Sequence, residues 1–272
     1  MTAFPALPED WEPTRATLHA YAHAVSAIPR VHAAPHAKWW HISFKADTNG
    51  LVTDSFQLPA GGTALVRMDL RSHEIVFVTD GGERRSFSMA EGLTGTEMGD
   101  ALIKAASEFG LGGEYERDKF QNDDSRAYEP ADATAFSEAL VVIDRALTTH
   151  RNRVAGDVGP VQLWPHGFDI AFEWFGTKTV AHEEDGETVE MPSQINFGLY
   201  PAGAPYFYST PWPFDRDALL AVALPSGARW NTDGWEGSIM EYADVVDRAD
   251  GVERLLDYFG AVFEAASPLL AK

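Results

Sequence analysis

The chain has 272 residues, 45% of them hydrophobic and 12% aromatic, enough for one large core or two small ones. Its formal charge of −20 repels phosphate backbones and anionic lipid surfaces, so neither nucleic acid nor membrane is expected as a partner. The absence of cysteine excludes disulfides, thiolate metal sites and a cysteine nucleophile.

The N-terminus lacks the basic and apolar regions of a signal peptide. The longest apolar run, Ala218 to Leu224, is far short of the ~20 residues that a membrane span needs. A cytoplasmic protein is the expectation.

Residues 1–13 read as extended. The spacing of Leu18, Tyr21, Ala22, Val25 and Ile28 predicts a helix from Thr14 to Ile28, broken by Pro29. A run of short strands follows: Trp39 to Ala46, Leu51 to Leu58, Ala64 to Leu70, Glu74 to Thr79 and Arg84 to Met89. Their connections are too short for crossovers, which favours antiparallel pairing. Thr94-Gly95-Thr96-Glu97 has capping-box spacing and opens a second helix that stops at Gly110. Residues 115–127 are polar and read as loop, and a third helix spans Asp132 to Thr149.

Strands return at Val161–Trp164, Phe168–Phe175, Met191–Tyr200 and Gly237–Tyr242, with an acidic hairpin tip over 182–187. The stretch 197–214 is dense in aromatic residues, which suit either a buried sheet face or a pocket wall. Asp250 reads as the cap of a last helix that ends before Pro268. The fold class is α+β: antiparallel meanders packed by about four main helices. Residues 1–272 read as a single compact domain, with 14–110 and 132–266 as candidate equivalent α–β–α halves.

The most informative stretch is 159–178. As a strand, it places Phe168, Ile170, Phe172 and Trp174 on one face and Asp169, Ala171, Glu173 and Phe175 on the other. Either this is a central strand beside an acid-lined cavity, or its second face is solvated. Asp169 and Glu173 stand four residues apart, ~13 Å along a strand. That exceeds the about 5–9.5 Å of paired glycosidase carboxylates. Asp169 is left as a single buried acid or a loop anchor, and Glu173 as surface.

Several short strings in this order resemble a bacterial family known only as domain-of-unknown-function family 5996. They are Trp11, Thr17-Leu18-His19, Trp40, Gly50-Leu51, Asp69 and His73, Tyr128-Glu129-Pro130, Pro160-Val161, Phe168-Asp169-Ile170-Ala171 and Phe175. The resemblance covers roughly the whole chain and implies no activity. Gln162, His166, Trp174 and Lys38 depart from the family's usual histidine, glycine, arginine and histidine.

The catalytic candidates are Asp69, His73, Asp169 and His19. Asp69 and His73 bracket a tight turn, which suits an aspartate orienting a histidine and equally a capped turn. His19 and His23 have the i, i+4 spacing of zinc ligands but lack the accompanying motif and a third ligand, so no metal is expected. The candidate ligand-binding side chains are Trp40, Tyr128, Trp164 and His166. Gly110-Leu111-Gly112-Gly113 follows a helix and is a stop signal, and no nucleotide fingerprint occurs, so no cofactor is expected.

Two functions fit. One is a pocket protein binding a small, aromatic or cationic molecule, with catalysis left open. The other is a non-catalytic module whose acidic surface meets a protein partner. A cavity holding at least two of His19, Trp40, Asp69, His73 and Asp169 would favour the first.

Overall fold

The computed structural model describes residues 3–184 and 186–271. By contacts the chain forms two compact units. One, the α1 unit, comprises residues 6–141 and 162–169; the other, the α5 unit, comprises 1–5, 142–161 and 170–272. Helix α3 (Pro130–Arg151) contributes its first part to the α1 unit and its last part to the α5 unit. The fold class is the expected mixture of helices with antiparallel strands.

The α1 unit opens with α1 (Glu12–His32). Its predicted stripe of Leu18, Tyr21, Ala22, Val25 and Ile28 is fully buried. Each large member contributes about 1.5–3 kcal/mol by leaving water. Pro29 does not end the helix as the sequence suggested: it is buried in the last turn, where one lost backbone bond costs little beside the packing gained. The meander follows as β1 (Phe44–Asp47), β2 (Gly50–Thr53), β3 (Phe56–Gln57), β4 (Thr63–Asp69), β5 (Glu74–Thr79) and β6 (Arg84–Ser88).

Antiparallel pairs run β1–β2, β2–β4, β4–β5 and β5–β6, with β3 on β4. The predicted first strand begins late. Trp39 holds a left-handed backbone, φ 59°, and residues 40–42 form a 3₁₀ turn before Phe44. Helix α2 (Gly95–Glu108) carries the full capping box: Glu97 N–H donates to Thr94 Oγ1, and Thr94 N–H to the Glu97 carboxylate. The short strand β8 (Gln162–Trp164) joins β1 at its free edge.

The α5 unit contains the two-residue β7 (Asp157–Val158), β9 (Asp169–Glu184), β10 (Glu187–Tyr200), β11 (Tyr206–Trp212), β12 (Arg229–Asn231) and β13 (Gly237–Glu241). Antiparallel pairing runs β12–β13–β11–β10–β9, with β7 on β9. Phe172, Trp174, Ala171 and Phe175 of β9 are all buried, so neither face of its first half is solvated. Beyond Gly176 most of its residues are exposed, and it pairs only with β10. The predicted acidic tip is the end of this hairpin, where Glu184 pairs with Glu187; Asp185 lies outside the described residues.

Helix α4 (Arg216–Leu220) is one turn, capped by Asp215. Helix α5 (Gly251–Leu270) buries Val252, Leu255, Leu256, Phe259 and Val262. It extends past Pro268, and Asp250 makes no side-chain cap, since its carboxylate pairs with Arg248 instead. Near the N-terminus, Phe4 is fully buried against Phe207 and Tyr242 and bridges to Val246. Among the described residues, no helix is long and apolar enough to cross a membrane.

Candidate functional site

Helix α1 carries Arg15, His19 and His23 four residues apart, so all three project from one side on successive turns. Opposite them runs the segment 118–126, and together they line a cleft of about 480 Å³. The segment has little regular structure, and α2 holds it in place. Asn122 N–H donates to Thr96 Oγ1 at 2.9 Å, and Thr96 N–H donates to the Asn122 carbonyl at 3.2 Å. Arg117 makes a two-pronged ion pair with Asp100, which holds the Asp100 carboxyl below its ordinary range. Phe120 is buried against Gly99, where any Cβ would collide with its ring. Arg126 closes one end, donating from Nη1 to the Ala16 carbonyl at 3.3 Å.

His19 and His23 form the floor, stacked at 4.9 Å and 25°. The other neighbour of His19 is the buried ring of Phe168, at 5.6 Å. His19 Nε2 lies 3.2 Å from the His166 carbonyl, which can only accept, so this nitrogen bears the proton. Nδ1 then faces Arg15 Nη1 at 3.5 Å as an acceptor. Burial, with the Arg15 guanidinium second, holds the His19 pKa below its ordinary value. Burial also pushes His23 down to about 4, helped by His19, His166 and Arg30. Both imidazoles are therefore neutral at neutral pH. The His23 ring makes no hydrogen bond among the described residues, and it borders the cleft.

The i, i+4 histidines stack face to face and do not converge on a point. Among the described residues, no group of three or more His, Cys, Asp or Glu side chains is placed to hold a metal ion.

The remaining sequence candidates scatter. His166 is exposed, its ring tilted against Trp164 at 5.7 Å, and it reaches His19 through its backbone. Phe168, read as the start of the strand, instead sits at φ 54° in the turn, with its N–H bonded to the Trp164 carbonyl at 2.8 Å. A buried aromatic in that region is strained and over-determined by its surroundings, here Phe136 and His19. Asp169 is buried at the start of β9, its carboxylate against Gly167.

Asp69 and His73 do not bond to each other. Asp69 Oδ1 accepts from the N–H groups of Arg71 and Ser72 at 3.1 and 2.9 Å, which caps the turn. His73, at φ 60°, shares a 3.0 Å hydrogen bond with the Tyr128 hydroxyl, whose pKa burial raises well above its ordinary value. Trp40 stacks on His36 at 4.3 Å, with the Lys38 ammonium 5.6 Å from its ring. Of the five residues proposed as a pocket set, the cleft contains only His19. Arg15, His23, Asn122 and Arg126 complete it, and three of these were not among the sequence candidates.

In the α5 unit, the aromatic stretch contributes Phe197 and Phe207 to the core. His150 is buried among Phe172, Phe197 and Phe259, and its Nε2 has no hydrogen-bond partner among the described residues. It also borders a second depression of about 390 Å³ with Arg153, Asp257, Phe263 and Glu264.

One family model matches, over residues 4–271, and its description is a family of unknown function (DUF5996). No curated protein and no solved structure matches the chain.

Proposed function

The chain belongs to the family of unknown function DUF5996, and since membership supplies no activity, we propose from the geometry that it is a small-molecule-binding protein whose site is the cleft between α1 and residues 118–126. The observation that carries this reading is His23. It is a half-buried, neutral imidazole on the cleft wall whose ring nitrogens make no hydrogen bond to the protein among the described residues, which leaves them available to a ligand. The cleft, about 480 Å³, falls within the ~300–1,000 Å³ of small-molecule sites. Its mixture of imidazole, guanidinium, amide and one aromatic wall suits a polar ligand.

A thermal-shift screen of metabolite-sized anions, amines, sugars and nucleotides tests it. A ligand that binds the native state must raise the melting temperature, by about 2.7 kcal/mol of stabilisation at a hundredfold excess over Kd. The shift is expected to vanish in His23→Gln and to persist in Glu173→Gln. A ligand whose shift ignores His23→Gln would place the site elsewhere.

A further inference from the structure

We infer that the ligand of this cleft carries a compact anionic group, a carboxylate or a phosphate, bound between the Arg15 and Arg126 guanidiniums and the His23 ring. The inference rests on the cleft being the ligand site and adds the chemistry of what enters it.

Depth sorts the charges. The Arg15 and Arg126 side chains are 11% and 8% exposed, while their acid partners Glu12 and Asp124 are 52% and 81% exposed. The acids therefore lie in solvent, where such pairs are screened and weak, and the cations line the interior. In a chain of net charge −20, two guanidiniums are thus turned inward at this cleft while their acid partners stay outside.

The unengaged hydrogen-bonding ends point the same way. Asn122 Oδ1 already accepts from Asp124 N–H at 3.2 Å, so its amino group is the end left to serve a ligand. Both nitrogens of His19 are engaged. Arg15 bonds Glu12 and His19, and Arg126 bonds Asp124 and Ala16, so the ends left over are the Asn122 amino group and the His23 ring. An anion would displace the exposed Glu12 and Asp124 carboxylates from the buried guanidiniums and draw on the Asn122 amino group besides.

Binding of an anion would also change His23. The charged and titratable groups around it are Arg15, His19 and Arg30 on α1, His166 before β9, and Asp118, Lys119, Asp124 and Arg126 across the cleft. Glu12 and Glu116, the exposed partners of Arg15 and Arg30, complete the set, and the cations lie deeper than the acids that pair with them. An anion beside the ring brings negative charge closer to it than those exposed acids do, so the complex takes up a proton as pH falls.

Calorimetry on the full chain with sulfate, whose charge is constant across this range, and with succinate tests the inference. At least one of the two is expected to bind. Arg126→Gln should weaken it about tenfold or more, the loss of one charge-assisted bond. The rim variant Lys119→Glu, on an exposed side chain that leaves the fold intact, should weaken it severalfold. Sulfate affinity should rise as pH falls toward about 4, the pKa of free His23, in the wild type and stay flat in His23→Gln. Affinity unchanged in both charge variants, or no binding of either anion, overturns the inference. An amine or neutral sugar that binds and is lost in His23→Gln would overturn it while leaving the pocket reading intact. If no probe of any class responds to His23→Gln, both fail.

Discussion

His150 shows what a buried imidazole costs when nothing binds it. Burial among three phenylalanine rings, with Arg153 second, pushes its pKa down to about 4. The unfolded chain holds the ordinary value near 6.5 and so binds more protons between these two limits. The contribution is intact above pH 6.5 and is lost as pH falls toward 4. His150→Leu should therefore flatten the stability–pH profile across that window, by about 2–3 kcal/mol at the acid end, in urea melts at several pH values.

A second buried polar pair gives a different signature. Ser43 Oγ lies 2.6 Å from Gln162 Oε1 and 2.7 Å from the Trp40 carbonyl, so its one proton is shared between two acceptors, while Gln162 Nε2 has no partner among the described residues. Ser43→Ala should cost about 1–3 kcal/mol by removing the hydroxyl from both the amide oxygen and the Trp40 carbonyl, and adding Gln162→Leu should recover the part owed to the amide. Denaturant melts of the single and double variants read the difference.

At this scale the sequence was half legible. His19 and His23 announce themselves by spacing. Arg126 and Asn122 do not, because their place beside α1 depends on the bonds between Asn122 and Thr96, which leave no local pattern.

Elements whose residues answer to a single period were read correctly in kind. The stripes of α1 and α5, the alternation of β4 and the Thr94 capping box are all local signals. Errors fall where tertiary packing outweighs a local rule. Pro29 and Pro268 sit inside helices, Asp250 spends its carboxylate on Arg248, and Trp39 and Phe168 adopt left-handed backbones that delay their strands.

The cleft wall depends on one such contact. Gly99 lies within α2, where alanine would ordinarily stabilise by up to about 1 kcal/mol. Here a Cβ would drive into the Phe120 ring, and overpacking of that kind costs about 1–3 kcal/mol. Gly99→Ala should therefore lower the melting temperature and, by displacing the 118–126 wall, weaken any ligand that depends on His23. Calorimetry and a thermal melt of the same variant check both halves.

Taken as a whole, the molecule interleaves its two units along the chain, since residues 1–5 and 142–161 belong with the C-terminal segment. Nothing in composition or periodicity marks that exchange, because each segment looks ordinary alone. Phe4 concentrates its energetic weight: its ring is buried against Phe207 and Tyr242, its carbonyl accepts from Asp247 N–H at 2.8 Å, and the Tyr242 hydroxyl donates to the Pro5 carbonyl at 2.7 Å. Phe4→Ala should cost about 3–5 kcal/mol, a large share of the stability of any single domain, in equilibrium unfolding.

The same bridge between Phe4 and Val246 imposes an order of events in the cell. The segment around Phe4 cannot find its place until the chain has been made beyond Val246. Until then Phe4 and the apolar faces awaiting it are open to the solvent of a crowded cell, with a long loop still to close. Synthesis, and not only sequence, sets when this protein becomes safe from its neighbours.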